Sequence, residues 1–324
     1  MDRRRRRAGA LGLLLTLAAG GALAADAAPP LRAMRWLPHG ADAAAALARQ
    51  PAECLRLPAD PGARLAVEVG RAAFRTPLLL GGQAARAGLS CEACHRQGRG
   101  NPDFRFPGAS GVPGTADVTL SLFSSRRGNG VDDPRPIPDL TAPRDRLKVA
   151  AADLPGFIRG LVVEEFDGPE PSAATLAGLA AYVRALDPAA CPAGDAASVR
   201  VGVGGLMADA RRALAAGRAT LAGGDGPTTV LMVAAARARL GLIDERYAGL
   251  PAERARLRAA DAGLAALQAA VRDGRREAAA AMLERWVAAS RPLEARLRAS
   301  EAGSLFDPAR LNVAANRRLP PRPS

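Results

Sequence analysis

Apolar positions along this chain recur mostly at helical spacing. In the second half, Leu264, Leu267 and Val271, then Met282, Leu283, Trp286, Val287, Leu293 and Leu297, fall three, four or seven residues apart. That is the stripe of an amphipathic helix. Breaks at Gly223-Gly224-Asp225-Gly226-Pro227, Gly249-Leu250-Pro251 and Asp273-Gly274 divide this half into helices over 206–221, 228–242, 252–273 and 276–300. Such short connections make neighbours antiparallel, so an antiparallel helical bundle is expected. In the first half the pattern predicts helices over 42–49, 65–74 and 176–186, with another beginning near Leu154. Alanine dominates and β-branched and aromatic residues are scarce, so the fold class is all-α.

One stretch breaks the pattern. Residues 98–143 are rich in Gly and Pro and carry polar turns such as Gly128-Asn129-Gly130 and Asp132-Asp133-Pro134. A loop this long is functional or disordered. Phe104, Phe106, Leu120, Leu122 and Phe123 argue against disorder, since they need an apolar surface. Asn129, Asp132 and Asp133 could be read as a calcium site, but a bare turn accounts for them equally well.

The start of the chain bears on its compartment. Arg3 to Arg7 precede an apolar run from Ala8 to about Ala24, ending in Ala22-Leu23-Ala24. This is a signal-peptide pattern with an A-x-A cleavage site. The run is short for a membrane span and contains four glycines, so cleavage near Ala24 and a periplasmic location are expected. No second hydrophobic segment predicts a transmembrane helix in the mature chain.

The chemistry concentrates in Cys91-Glu92-Ala93-Cys94-His95. Two cysteines spaced by two residues with a histidine after the second form the attachment pattern for haem c. On one helical turn both thiols can bond to the porphyrin vinyl groups, and the histidine that follows points at the iron. Cys91 and Cys94 are thus the expected tethers and His95 the proximal ligand. A thioredoxin-type pair would follow a strand, and the upstream segment is not strand-like. A zinc site would need further ligands, and there is no second Cys pair. The remaining cysteines, Cys54 and Cys191, bracket this region, and in an oxidising compartment they are expected to pair.

Around the motif, Gly70-Arg71-Ala72-Ala73-Phe74 and the segment Leu176-Ala177-Gly178-Leu179-Ala180-Ala181-Tyr182-Val183-Arg184-Ala185-Leu186 resemble the first and last helices of a cytochrome c domain. The Gly70–Phe74 phrase with the downstream motif also looks like the start of a di-haem cytochrome c peroxidase domain. The resemblance implies that the two helices cross over the haem with an aromatic at the crossing. It implies a segmentation into a signal peptide (1–24), an extension (25–62), a cytochrome c-like haem domain (63–197) and a helical bundle domain (198–324). It also implies a methionine as sixth ligand. Here no Met or His occurs between His95 and Met207, and Leu154 stands about where that methionine belongs. Three options follow: an open sixth position; a ligand from elsewhere (His39, Met34, Met207, Met232 or Met282); or Lys148, the single lysine. His39, after a proline, is the leading named ligand. Arg105, Arg126 or Arg127 could lie near the haem propionates.

The formal charge is +13. Residues 25–197 carry nineteen basic and nineteen acidic groups, while 198–324 carry twenty-one arginines against twelve acids. All the net charge of the mature chain therefore lies in the second half. For an exported protein, nucleic acid is not the expected partner. An acidic redox protein docking on the basic half is the sharper expectation. The functions in play are a one-electron carrier, a peroxidase-type haem enzyme, and a small-ligand or redox sensor.

Overall fold

The computed structural model describes residues 31–126, 128, 130–142, 149–150 and 152–316. Residues 1–30, Arg127, Asn129 and Lys148 lie outside the described residues, and with them the expected signal peptide. The chain is all-α with a few very short strands.

A 3-10 turn, Arg32–Trp36, precedes α1 (Ala43–Ala48) and β1 (Arg49–Pro51). Asp42 caps α1 by accepting from the Ala44 and Ala45 N–H groups. Helix α2 (Pro61–Phe74) starts four residues before its apolar stripe. The Asp60 carboxylate accepts from Ala63 N–H at 2.7 Å, and Pro61 occupies a first-turn position where its missing N–H costs nothing. Two short helices follow, α3 (Gly82–Ala87) and α4 (Cys91–Cys94). The long segment after them contains only β2 (Thr115–Ala116) and β3 (Arg135–Pro136), an antiparallel pair with Thr115 opposite Pro136. Helix α5 (Leu154–Gly160) runs into a π-turn, Leu161–Glu165. Ser172 caps α6 (Ala173–Ala185) through Thr175 N–H. Strand β4 (Ser198–Arg200) pairs antiparallel with β1, Gln50 opposite Val199.

Five helices complete the chain: α7 (Val203–Ala222), α8 (Gly226–Arg246), α9 (Pro251–Arg272), α10 (Arg276–Ala299) and α11 (Pro308–Asn316). Helices α7 to α10 pack each on the next, and α10 returns to α7. Their core includes Met207, Leu214, Ile243, Tyr247, Leu264 and Leu283.

A second core joins α2 and α6 to the long segment through Phe74, Phe104, Phe123, Leu179, Tyr182 and Leu186. The two helices meet where neither carries a side chain. A Cβ on Gly70 would lie 1.9 Å from the Gly178 carbonyl oxygen, so backbone packs on backbone. Leu122, expected to seek an apolar surface, is 37 % exposed, whereas Phe104 and Phe123 are buried.

The N-terminal extension touches both halves. A Cys54–Cys191 disulfide links it to the segment after α6, and Leu55 bridges Leu186. Arg246 Nη2 of α8 donates to Leu47 O at 2.7 Å, Arg32 pairs with Glu245, and α1 packs on α11.

Candidate functional site

The single turn of α4 carries Cys91 and Cys94, and His95 follows with its N–H donated to Cys91 O at 2.8 Å. The two thiols are free, in contrast to the bonded Cys54 and Cys191. Both are half-buried against the Phe74–Leu179–Tyr182 core. Burial pushes each thiol up to about 12, with the neighbouring Glu92 adding to it at Cys91. Both are therefore protonated at neutral pH. A dithiol built for exchange has the opposite character, a thiolate at lowered pKa, and α4 follows a helix rather than a strand. Nor do Cys91, Cys94 and His95 converge on a point. Among the described residues no cluster of three or more His, Cys, Asp or Glu could hold a metal ion; Asn129, the third member of the calcium reading with Asp132 and Asp133, lies outside the described residues.

The histidine is held by its ring. His95 Nδ1 lies 3.0 Å from the Pro138 carbonyl oxygen, and its face lies against Phe74 with centroids 6.3 Å apart. Burial lowers its pKa to about 4, outweighing the opposite pull of the Pro138 carbonyl and Asp139. The ring is neutral, and a carbonyl only accepts, so the proton sits on Nδ1 and Nε2 presents a lone pair. A backbone carbonyl accepting the other ring N–H is how metal-binding histidines are oriented. Pro138 is itself pinned on both sides: Ile137 N–H donates to Gly114 O and Leu140 N–H to Gly98 O, each at 2.9 Å. Arg99 bonds Asp139 at 2.6 Å, and Asn101 Nδ2 donates to Ala93 O at 2.8 Å, tying the loop to α4.

Beneath the motif lies a buried charge junction. The Arg75 side chain is 4 % exposed and pairs with Glu53 at 2.8 Å, Glu92 at 3.0 Å and Asp209 at 3.0 Å. It also donates to Gln97 Oε1 at 2.6 Å. Those carboxylates come from the extension, the motif and α7, and Arg239 of α8 donates to Arg75 O. Glu53 also takes Arg71 and the Tyr182 hydroxyl, the latter at 2.8 Å. Burial alone would raise the Asp209 carboxyl, but Arg75, Arg239, Arg212 and Arg71 together hold it below the ordinary range.

The other sequence-derived residues separate. His39 is exposed in the turn after Pro38, and no described contact brings it to His95. Met34 packs with Leu31, Leu47 and Leu311. Met207 and Met232 are fully buried, Met232 against Gly217, and Met282 edges the α7–α10 core. Leu154 lies half-buried on the α2–α6 core. Arg105 and Arg126 make backbone bonds to Trp36 O and the Ser124 hydroxyl. Sequence reasoning missed Pro138, Arg75, Glu53 and Asp209. Among the described residues, no helix is long and apolar enough to cross a membrane. Comparison of the chain with family models, curated proteins and solved structures returned no match.

Proposed function

We propose that this chain is an exported c-type cytochrome carrying one covalent haem, a cytochrome c-like haem domain followed by an antiparallel helical bundle, which exchanges single electrons with a protein partner. The observation that carries the reading is the His95 Nδ1–Pro138 O bond, which leaves Nε2 available while two unbonded thiols stand within one turn on an apolar surface. The residues present fit such a group: Cys91 and Cys94 as tethers, His95 as proximal ligand. When bound, haem c supplies a one-electron iron couple. The chain's own residues do the rest. Pro138 fixes the imidazole tautomer, Phe74 and Tyr182 exclude water, and the Arg75 junction holds the turn through Glu92. On α9 and α10, Arg256, Arg258, Arg272, Arg285, Arg291 and Arg296 are exposed and in no ion pair among the described residues, which suits docking of an acidic protein.

The test is expression with a c-type maturation system, followed by a denaturing gel read for haem absorbance. Wild type should retain the signal, and Cys91→Ser with Cys94→Ser should lose it. A wild-type chain without covalent haem would refute the reading.

A second reading rests on the methionines. Met34, Met207, Met232 and Met282 pack in cores and His39 faces solvent, which favours an open sixth position and hence a peroxidase-type enzyme or a ligand sensor. A ferrous spectrum that changes on adding carbon monoxide would favour it. An unresponsive low-spin spectrum would favour the carrier.

A further inference from the structure

We propose that a cleft on the Nδ1 side of His95 binds a small organic carboxylate. The cleft is open to solvent and offers about 720 Å³, within the range of small-ligand sites. It opens between the α1–β1 segment, the chain just after the motif, and the residues flanking Pro138. Two arginines face it, and among the described residues neither is in a contact ion pair, although Arg96 also feels the Glu92 and Asp103 carboxylates. Arg49 donates only to Ser198, at 3.2 Å to Oγ and 2.6 Å to the carbonyl. Arg96 donates only to the carbonyls of Ala46, at 2.6 Å, and Arg49. A guanidinium carries five N–H donors, so each retains three for a ligand. Arg99, also in the wall, is neutralised by Asp139.

Against these cations the cleft sets Asp103, which narrows the preference to a compact anion, and an apolar wall that includes Ile137. A carboxylate with a short hydrocarbon body meets both demands, since forked Arg–carboxylate bonds give geometry as well as energy. The haem's own carboxylates do not account for the site. The cleft is walled by Ile137 and Asp139 on either side of the carbonyl that takes Nδ1–H, the ring edge away from Nε2. An occupant there places negative charge beside the His95–Pro138 bond, and on the haem reading it should lower the reduction potential. That consequence rests on the haem reading; the binding does not.

The experiment is calorimetric titration of the full chain, as purified, with succinate, and with inorganic phosphate for comparison. Haem absorbance is recorded separately. Wild type should bind one succinate saturably and more tightly than phosphate. Arg49→Gln should weaken binding about tenfold or more, the loss of a charge-assisted partner. Ala45→Glu, at an exposed position on the cleft wall, should abolish binding while breaking no existing bond, so it carries the test if Arg49→Gln disturbs the β1–β4 pair. The proposal is overturned by absence of saturable binding, by equal binding in wild type and both variants, or by phosphate matching succinate. It is also overturned if only haem-free chain binds, which would hand the arginines to the haem propionates. A chain lacking covalent haem would remove the cytochrome reading and leave the binding result intact.

Discussion

Replacing Arg75 by methionine keeps most of the side-chain volume and removes the cation on which three carboxylates converge. Glu53 and Asp209 keep other arginines in contact, whereas Glu92 keeps the Gln97 N–H at 3.3 Å and the longer-range attraction of Arg96 and Arg239. Removing one partner of a buried ion pair costs about 3–5 kcal/mol, because the remaining charge is stranded. The pH dependence separates this from a packing loss. With Arg75 present, the depressed Asp209 carboxyl contributes stability above the ordinary carboxylate range, lost as pH falls through its folded value. Without Arg75 that depression is weaker, so the variant has less stability to lose as pH falls through the same range. The deficit of Arg75→Met should thus be constant from pH 8 to pH 5 and shrink below about pH 4, by about 1.4 kcal/mol for each pH unit by which the depression of Asp209 is relieved. Urea unfolding of wild type and variant at three pH values reads both numbers. Arg75→Lys should fall between them, since an ammonium cannot span Glu53, Glu92, Asp209 and Gln97. A deficit under about 1 kcal/mol, or one still flat below about pH 4, would refute the reasoning.

Four further outcomes are expected. Gly70→Ala should cost about 3 kcal/mol or more despite its better helix propensity, because its Cβ would lie 1.9 Å from a backbone oxygen that cannot yield. Gly156→Ala, with nothing within 4 Å, should be neutral or slightly stabilising, and thermal melts of the two variants read the contrast. Cys54→Ser opens a link between residues 137 apart and should lose about 2–4 kcal/mol, matched by reducing the wild type. In haem-free chain, His95 titrates at about 4 folded against 6.5 ordinarily, so its stability contribution is complete above 6.5 and falls away towards pH 4. The difference between wild type and His95→Gln should therefore narrow by about 3 kcal/mol over that interval, and a constant difference would contradict a buried neutral ring.

The helices α7 to α10 begin and end within a few residues of their Gly/Pro breaks because their cores are stripes of Leu, Ala and Val along one face, a pattern carried by the local sequence. Helix α11 escaped notice because it is short and is held by Leu311 packing on Leu31 and Leu47, a contact across most of the chain. The long segment had no legible elements because its order comes from isolated anchors. Phe104 and Phe123 fill the core, while Asp117 and Asp139 fold their own turns onto Thr119 and Thr141. The Cys54–Cys191 pairing was legible by counting. Cys91, Cys94 and His95 were legible because their spacing is local. Pro138 was not, since what it supplies is a backbone carbonyl, which every residue has.

The junction changes how the two halves should be regarded. Divided by composition, the second half looks like an appendage without chemistry. Yet Asp209 and Arg239 reach the same buried guanidinium that holds Glu92 between the two thiols. A charge in the low-dielectric interior is felt further than one at the surface, so a change in how α7 and α8 sit is transmitted to the motif through Arg75. Among forty-four arginines, the one that makes this connection is marked by no motif. Its role follows from its burial at the end of α2, where the extension, the motif and the first two helices of the second half each contribute one group to it.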